Sequence, residues 1–504
     1  MTLPRFSLLF PVAVSATSFA ALPAVGPDYH RPDAPRVAQY RDAEPLGGAL
    51  WKAAAPAEDQ ARGAWWRVFG DPTLDQLQAR ALAANQSLRV AAARLDQARA
   101  AAGLARSNYW PQLAVDGSFT RERQSRTTEN VQPEAVASTY RLPLVASWEI
   151  DLFGRVRRLT ESARAEAEAS AATLESVRLA LTAEVATTYF SWRAFDRELA
   201  LLRDTVQWRR RALDLVQARL QGGTAAEADV ARAETELATA QADAAELANR
   251  RASLLYALAV LVGEPASAFE VTATPAALLP PSVPAGLPSE LLERRPDVAA
   301  AERALAAANA RIGVAKAAFF PAISLTGGAG WASGDVDTLF KTDSRLWSIG
   351  PRLYLPIFQG GRNRANLERS QAAFEEAVAQ FRQQVLVAFR EVQDALTANR
   401  LLAEQAEAQE RALRSAQRAV QLAQVRYDAG FVSYLEVIDA QRTALAIERR
   451  SVQLGATRLN ASVALIKALG GGWGPATPAT VFAPVPPAEG IKVASVNHVA
   501  EARP

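Results

Sequence analysis

Glu149 and Asp151 lie two residues apart in the segment "SWEIDLFG" and are the side chains best placed to do chemistry. Two carboxylates on one face of a strand could share general acid and base roles. No histidine lies near them, because the chain has only His30 and His498, and it has no cysteine. Phosphate-binding glycine loops, nucleophile elbows and zinc-protease helix signatures are also missing from the sequence. We therefore interpret the pair as part of a wetted pore wall and predict no enzyme, cofactor or metal site.

Four segments whose side chains alternate between apolar and polar must position these residues, and the alternation predicts four strands. An apolar and a polar face fit a barrel with lipid outside and water inside, since only closed barrels or helices satisfy their backbone in lipid. Four strands cannot close alone. Two chains would give eight strands and three would give twelve, and only the larger barrel leaves a useful aqueous lumen. The predicted strands are 112–123, 139–152, 322–332 and 346–358, and the predicted pore-lining residues are Asp116, Arg141, Glu149, Asp151 and Arg352.

Each predicted strand pair leads into a long helix. One runs from Val156 to Gln221 without Gly or Pro, which at about 1.5 Å per residue is a rod of roughly 100 Å. Gly222 and Gly223 end it, and a return helix runs to Val262. The same layout recurs later as a helix over 363–428, a turn at Gly430 and a return helix to Leu469. Segments Thr224–Glu227 and Ser433–Glu436 have the spacing of capping boxes.

These elements are two copies of one unit. The segment beginning "LERRPDV" aligns without gaps on the one beginning "LAANQSL" at an offset of 210 residues, and the two helix reversals match at an offset of 207. This internal duplication predicts a mainly α fold with duplicated long-helix hairpins and four strands per chain. We divide the chain into a signal peptide (1–20), an N-terminal extended segment (21–70), a first repeat (71–264), a Pro-rich linker (265–286), a second repeat (287–473) and a C-terminal tail (474–504).

The return helices differ in their heptad positions. The second has a continuous bulky series at Ile438, Leu445, Val452, Leu459 and Ile466. The first has alanine at every equivalent position: Ala231, Ala238, Ala245, Ala252 and Ala259. We expect both sets to be core positions with different helix spacing, so that the repeats are only pseudo-equivalent.

The charge pattern and the N-terminus indicate where the chain works. The 56 basic and 53 acidic residues alternate along the helices, which is typical of solvated helix faces and predicts no nucleic-acid partner. The segment "MTLPRFSLLFPVAVSATSFA" is typical of a secretory signal peptide cleaved after Ala20, the alternative being an uncleaved apolar N-terminus. No later run reaches the ~18 to 20 apolar residues of a membrane helix, so we expect an exported chain.

Seven motifs occur in order along the chain: "VGPDYHRP", "WWRVFGDPTLDQL", "SWEIDLFG", "RRPDVAAAE", "LPIFQGGR", "AGFVSYLEVIDAQR" and "KALGGGW". Together they resemble the TolC/OprM-type outer-membrane efflux proteins, most closely the NodT-like branch that serves resistance-nodulation-division (RND) pumps. The resemblance implies a homotrimer with a 12-stranded β-barrel in the outer membrane and a 12-helix α-barrel across the periplasm. It also implies a periplasmic adaptor protein and an inner-membrane RND-type pump as partners, with the trimer as a passive, gated exit duct.

The resemblance also assigns roles to residues. The implied adaptor-docking tips are Arg219, Gly222, Gly223, Asp229, Val230, Arg426, Gly430, Ser433, Tyr434, Glu436 and Val437. The implied periplasmic gate lies near Gln421, Gln424 and Tyr427. Relatives often carry aspartates there as a cation-binding ring, which the glutamines put in doubt. Many relatives also carry a lipid-bearing cysteine where this chain has Pro23, so we expect no lipidation. We expect the second tip to lie at the moving gate and the first at the steadier wall.

Two other functions stay open on the sequence. A duct of similar build could serve protein secretion, although the RND-type motifs favour drug or toxic-compound efflux. A soluble periplasmic coiled-coil scaffold is the third hypothesis. A scaffold of that kind would have one hairpin and no amphipathic strands, whereas this sequence predicts two hairpins and four such strands.

Overall fold

The computed structural model describes residues 24–33, 35, 63–123, 136–272, 280–281 and 295–471. The predicted signal peptide, most of the predicted linker and the predicted C-terminal tail lie outside these residues. Within them, the α-helices are α1 Pro72–Ala84, α2 Gln86–Ser107, α3 Arg155–Gln221, α4 Glu227–Val262, α5 Pro296–Ala317, α6 Arg362–Asp428 and α7 Tyr434–Ala468. The strands are β1 Gln112–Val115, β2 Ser118–Arg123, β3 Val136–Ile150, β4 Ala322–Ser333 and β5 Arg345–Tyr354.

Two helices of 67 residues each, α3 and α6, dominate the molecule. Both follow a glycine with a left-handed backbone, Gly154 (φ 80°) and Gly361 (φ 85°), which lets the chain leave a strand and enter a helix sharply. Both end just before a second left-handed glycine, Gly223 (φ 71°) or Gly430 (φ 75°), where the chain reverses. The predicted fold of duplicated long-helix hairpins is confirmed.

The strands form one antiparallel sheet in the order β1/β2, β3, β4, β5. The predicted strand 112–123 is divided into β1 and β2. Asp116, which lies in the break, donates its N–H to the Pro143 carbonyl at 3.0 Å, but Pro143 has no N–H to return. The ladder is therefore interrupted where a proline lies in the middle strand.

Two other predicted strand ends were wrong. β5 stops at Tyr354 instead of residue 358, because its neighbour β4 begins at Ala322, opposite Tyr354, and gives later residues nothing to pair with. β3 stops at Ile150, so Asp151 lies beyond the strand. Both carboxylate oxygens of Asp151 accept backbone N–H groups of the first turn of α3, from Val156 at 3.0 Å and Arg157 at 2.9 Å. Asp151 is thus a helix cap.

The two faces of the sheet differ in chemistry. The register places small or polar side chains in common rows on one face, including Ser118, Thr120, Arg141, Ser147, Thr326, Ser348 and Arg352. The opposite face carries Leu113, Val115, Phe119, Leu142, Trp148, Leu325, Trp331, Trp347 and Ile349. This separation is the arrangement expected of a wall between lipid and water.

The buried core lies in the middle of the helical part. One cluster joins α1, α3, α4 and α7 around Tyr189, Phe190 and Trp192. A second joins α5, α6 and α7 around Phe381 and Val385. Because α7 contributes to both clusters, it ties the two repeats together.

The N-terminal segment crosses both repeats near the sheet. Val25 donates its N–H to the carbonyl of Phe153 at 3.0 Å, and Asn309 of α5 donates to the carbonyl of Pro27 at 3.0 Å. The buried Arg158 of α3 pairs with Asp28 at 2.6 Å. The Asp28–Arg158 hydrogen bond holds the pKa of Asp28 below its ordinary value.

The predicted capping boxes do not form. The Thr224 hydroxyl donates to the carbonyl of Arg219, and α4 begins after Ala226, whose N–H reaches Asp229 at 3.4 Å. Ser433 does precede α7, but its side chain makes no capping hydrogen bond and Glu436 instead pairs with Arg426. These polar groups have competing partners at the tip, and the spacing of a capping box cannot reveal them.

The heptad positions of the return helices differ more than expected. In α7, Ile438, Leu459 and Ile466 are buried, as predicted for core positions. In α4, Ala231, Ala238 and Ala245 are exposed, and Ala259 is the member of the alanine series that is buried. The prediction of a buried alanine series was therefore wrong for the part of α4 nearest the tip.

Candidate functional site

The two helix reversals lie side by side, although 207 residues separate them in the sequence. Arg219, in the last turn of α3, donates a hydrogen bond from Nη1 to the phenol oxygen of Tyr427, in the last turn of α6. The same guanidinium lies 5.0 Å from the centre of the Tyr427 ring, a distance that allows a cation–π interaction. One arginine of the first tip therefore holds one tyrosine of the second.

The second tip is closed by an ion pair. Arg426 binds Glu436 at 2.8 Å, linking the end of α6 to the first turn of α7 across the turn at Gly430. The Tyr434 ring lies 5.5 Å from that of Tyr427, and burial raises the pKa of the Tyr434 phenol. Ser433 is exposed and Val437 is fully buried beneath the turn.

The first tip uses its equivalent residues differently. Asp229, which corresponds to Glu436, pairs with Arg232 of its own helix at 3.3 Å. Gly222 and Gly223 form the turn, with the Gly222 N–H donated to the Ala218 carbonyl at 3.0 Å. Val230 is half-buried. Because Arg219 reaches Tyr427 instead of Asp229, no ion pair across the turn forms at this tip among the described side chains.

The predicted gate residues sit on the last three turns of α6. Gln421 is exposed and accepts a hydrogen bond from Arg418 at 3.3 Å. Gln424 donates to the carboxylate of Asp428 at 3.0 Å. Asp428 is an exposed acidic residue that the sequence reasoning missed, and its position as the last residue of α6 was the available signal.

Buried ion pairs join the hairpins above the tips, and the sequence reasoning missed them too. Glu236 of α4, which is 9% exposed, meets Arg209 of α3 at 3.4 Å and also Arg442 of α7. The Glu236 hydrogen bond raises the pKa of Arg442. A shallow groove of about 230 Å³ lies beside them, lined by Ala231, Arg232, Thr235, Glu236, Leu435, Ile438 and Arg442.

A second set of buried ion pairs lies further along the same helices. Glu198 of α3 is fully buried and accepts hydrogen bonds from Arg449 at 2.7 Å and Gln453 at 3.0 Å. Arg449 also reaches Asp243 of α4 at 3.1 Å. The two sets of ion pairs are seven residues apart on α4, at Glu236 and Asp243, and on α7, at Arg442 and Arg449. This spacing was a signal in the sequence.

The predicted pore-lining residues are dispersed along the sheet. Arg141 and Arg352 are exposed on its polar face. Asp116 is exposed in the break between β1 and β2. Glu149 accepts two hydrogen bonds from Arg155, of 2.7 and 2.6 Å, so its charge is paired locally. The two carboxylates considered as an acid/base pair therefore have separate structural partners.

The described ranges contain no group of three or more His, Cys, Asp or Glu side chains that could hold a metal ion. They also contain no helix that is both long and apolar enough to span a membrane. What the described residues do offer is an amphipathic sheet, long helices and two charged, adjoining tips.

The chain belongs to the outer membrane efflux protein family. The family model matches two segments, residues 77–264 and 287–471, one in each copy of the duplicated unit. This family and the relatives similar to the chain are transport channels.

Individual relatives agree with this assignment. The chain is 38% identical to the solvent efflux pump outer membrane protein SrpC of Pseudomonas putida over 449 residues, covering 89% of this chain and 95% of that one. It is 37% identical to the outer membrane protein OprJ of Pseudomonas aeruginosa, covering 93% and 95% of the two chains. The open state of the Neisseria gonorrhoeae MtrE outer membrane channel superimposes with a TM-score of 0.77 at 32% identity, covering 89% of this chain and 98% of that one. The protein is an outer-membrane efflux channel, and its predicted family, function and location are confirmed.

Proposed function

We propose that three copies of this chain close into the exit duct of a tripartite efflux system. The observation that carries the proposal is the four-strand-wide amphipathic sheet, whose two edges, β1/β2 and β5, have no strand partner among the described residues. Edge strands leave N–H and C=O groups without partners, which lipid does not tolerate. Three copies would give a barrel twelve strands wide, continued by α3, α4, α6 and α7 as a periplasmic tunnel.

The substrates we propose are small organic compounds, such as solvents and antibiotics, because relatives include a solvent efflux pump protein and an antibiotic efflux pump protein. The polar face of the sheet supports a water-filled passage, since its middle rows carry glycine, serine and threonine. The duct performs no catalytic step. An inner-membrane RND-type pump supplies the energy and the selectivity.

We further propose that the tips dock a periplasmic adaptor protein. Exposed side chains surround both turns, and the second tip presents Phe431, 80% exposed, beside the Arg426–Glu436 pair. An exposed aromatic next to a charged pair suits a protein partner. The contact from Arg219 to Tyr427 would hold the two tips together in the closed duct.

The function is tested in a strain lacking the gene, complemented with variants and challenged with a panel of solvents and antibiotics. Wild type should restore growth, and unchanged sensitivity of the deletion strain to every compound would contradict the efflux proposal. Light scattering of the detergent-extracted protein should give the mass of three chains.

The docking proposal needs a separate variant. Glu436→Arg should lose complementation while the trimer persists, because it places a second cation beside Arg426. Glu407→Arg, an exposed charge reversal on the shaft of α6, is the matched control. The double variant Arg426→Glu with Glu436→Arg restores the ion pair but inverts its direction. If the double variant complements fully, the pair acts within the tip and not on the adaptor.

A further inference from the structure

In the part of the chain that the structure describes, the two outer strands of the sheet have no further strand beside them and carry strongly exposed apolar residues. On β5, Trp347 is 78% exposed and Ile349 is 70% exposed. Just beyond β5, Ile357 and Phe358 reach 94% and 89%. On the other edge, Leu113 of β1 is 67% exposed. Something must cover these edges in a membrane, and the duplicated sequence indicates what does.

Both repeats pair their own strands in one register. In the first repeat Gln112 lies opposite Ser147, and in the second Ala322 lies opposite Tyr354. Adding 210 residues converts Gln112 to Ala322, and adding 207 converts Ser147 to Tyr354. The same two displacements relate the pairs of β1/β2 with β3, from Gln112–Ser147 to Arg121–Ser138, to pairs of β4 with β5. The repeats are therefore equivalent in the sheet at the level of single residues.

The pairing of β3 with β4 is the place where the first repeat meets the second inside one chain. There Val145 lies opposite Gly328, and Pro143 opposite Gly330. We infer that the same junction recurs between chains, where the second repeat of one copy meets the first repeat of the next. This inference rests on the proposed closed ring and specifies which residues meet in it.

The residues that meet between chains follow from the pairing of β3 with β4, by adding 207 to each position of β3 and subtracting 210 from each position of β4. Val145 then corresponds to Arg352 and Gly328 to Ser118, so Arg352 lies opposite Ser118 of the next copy. In the same way Gly350 lies opposite Thr120 of the next copy. Further along, residues 355–357 lie opposite residues 113–115 of the next copy, ending with Ile357 opposite Leu113, because the pairing of β3 with β4 ends at Ile150 and Ile323.

This junction explains why β5 stops short in the single chain. Within the described residues, 355–357 have no strand beside them until β1 of a second copy arrives, and β5 then extends to Ile357. Two prolines are compatible with the junction. Pro351 withholds one N–H from the open edge, but Pro143 does the same toward β1/β2 within the chain and the strands still pair around it.

The helices next to the sheet also differ between the repeats: α5 is packed against a neighbouring helix, and the equivalent face of α2 is exposed. In α5, a side chain on Gly313 would lie 2.7 Å from Cγ of Arg158, because α5 is packed against α3. Its equivalent in α2 is Gly103, which has nothing within 4 Å. Leu104 beside it is 72% exposed, whereas the equivalent Val314 is half-buried. The junction therefore lays α6 of one copy against the open face of α2 of the next.

The register can be tested by disulfide formation, because the chain contains no cysteine and any cross-link comes from introduced residues. Directly opposite residues have Cα atoms about 4.5 to 5.5 Å apart, within disulfide reach, and diagonal neighbours about 7 to 8 Å apart, outside it. The test variant carries Gly350→Cys and Thr120→Cys. The register controls pair Gly350→Cys with Ser118→Cys or with Glu122→Cys, and each single variant is the background control.

After oxidation, the test variant should run as a covalent trimer on a denaturing gel without reductant and as a monomer with it. Both register controls and all single variants should stay monomeric on the same gel. Trimer mass under reducing conditions, measured by light scattering in detergent, shows that each variant is assembled before oxidation.

The outcomes separate the inference from the proposed ring. Efficient cross-linking of a register control instead of the test pair would overturn the register and leave the ring standing. A trimer in which no pair cross-links would also overturn it. A wild-type protein that is monomeric in detergent would instead remove the proposed ring itself.

Discussion

Residues at equivalent positions of the two repeats do different jobs. Arg426 binds Glu436 across its own turn, whereas Arg219 leaves Asp229 and reaches Tyr427 of the other tip. The two tips differ at this place in that the first repeat has Leu220 where the second has Tyr427, so only the second tip offers a phenol oxygen to Arg219. The two copies of the tip are therefore linked by a residue that only one of them carries.

Removing a single oxygen atom should weaken the contact between the two tips. Tyr427→Phe removes the phenol oxygen and keeps the ring, so the hydrogen bond from Arg219 is lost. We expect the closed arrangement to lose about 1 kcal/mol, a change of roughly five-fold in the ratio of closed to open duct. Open probability in planar bilayers measures this. Tyr256→Phe, an exposed tyrosine of α4, is the control. Equal open probabilities for Tyr427→Phe and wild type would show that this contact does not hold the duct closed.

Asp297 makes a pH-dependent contribution near the base of α5. Burial alone would raise its pKa, but the hydrogen bonds and charge of the buried Arg295, at 2.6 and 3.0 Å, outweigh burial and hold the pKa below 3.8. A carboxyl whose folded pKa is depressed adds stability above its unfolded pKa and loses it as the pH falls through the folded value. Asp297→Asn should therefore lower the apparent Tm at pH 7, and the difference from wild type should narrow below pH 3.8.

Circular dichroism melts of the detergent-extracted protein between pH 7 and pH 3 give that comparison. Asp204→Asn, at an exposed aspartate of α3, should melt like wild type throughout. A Tm difference for Asp297→Asn that persists unchanged at pH 3 would mean that the side chain acts by its shape and not by its charge.

At the scale of elements, buried carboxylates set the position of α7 against α3 and α4. Glu198 and Glu236 each lie between helices and meet an arginine of α7. A buried charge that slipped by one turn would lose its partner, so these pairs define a single register for the two hairpins. The exposed alanines of α4 add little packing there, which leaves the charges to hold the hairpins in place.

Removing one of these carboxylates should be costly. Glu198→Ala removes the buried carboxylate from Arg449 and leaves its contact with Asp243, and we expect a loss of about 2 to 4 kcal/mol in the free energy of unfolding. Glu246→Ala breaks an exposed pair with Arg250 and should cost less than about 1 kcal/mol. Urea or thermal unfolding of both variants measures this. The double variant Glu198→Met with Arg449→Met should recover much of the loss. A Glu198→Ala protein as stable as Glu246→Ala would show that the buried pair contributes nothing.

At the scale of the whole molecule, the sheet depends on one close approach of backbones. A side chain on Gly330 would lie 2.6 Å from Cα of Pro143 and would also overlap the Leu142 carbonyl. Pro143 interrupts the ladder on one side of β3, and Gly330 lets β4 come close on the other. The middle of the wall therefore tolerates a proline only because a glycine faces it.

Gly330→Val should prevent the sheet from forming, because the clash is with backbone that cannot move aside. We expect no folded protein in the outer membrane, seen as loss of the band that shifts with heating on a mild denaturing gel. Gly327→Ala, also in β4, where the nearest atom to an added side chain is the Ser348 carbonyl oxygen at 3.5 Å, should fold normally. Normal amounts of heat-shifted Gly330→Val protein would contradict the close approach.

The sequence by itself determined the elements and their repetition. The signals for these elements are local: period-two and helical patterns, the absence of Gly and Pro over α3 and α6, and the glycines at each reversal. Each depends on residues close together in the sequence, so the sequence alone reveals it. They predicted the helices, the strands and the duplication, and the motifs pointed to the outer-membrane efflux family. Only the tertiary structure decided which side chains meet. Asp151 caps a helix, Glu149 binds Arg155, Glu436 binds Arg426 and Arg219 reaches Tyr427. The last of these joins positions 208 residues apart, and charged groups take partners by distance in space, which spacing along the chain does not encode.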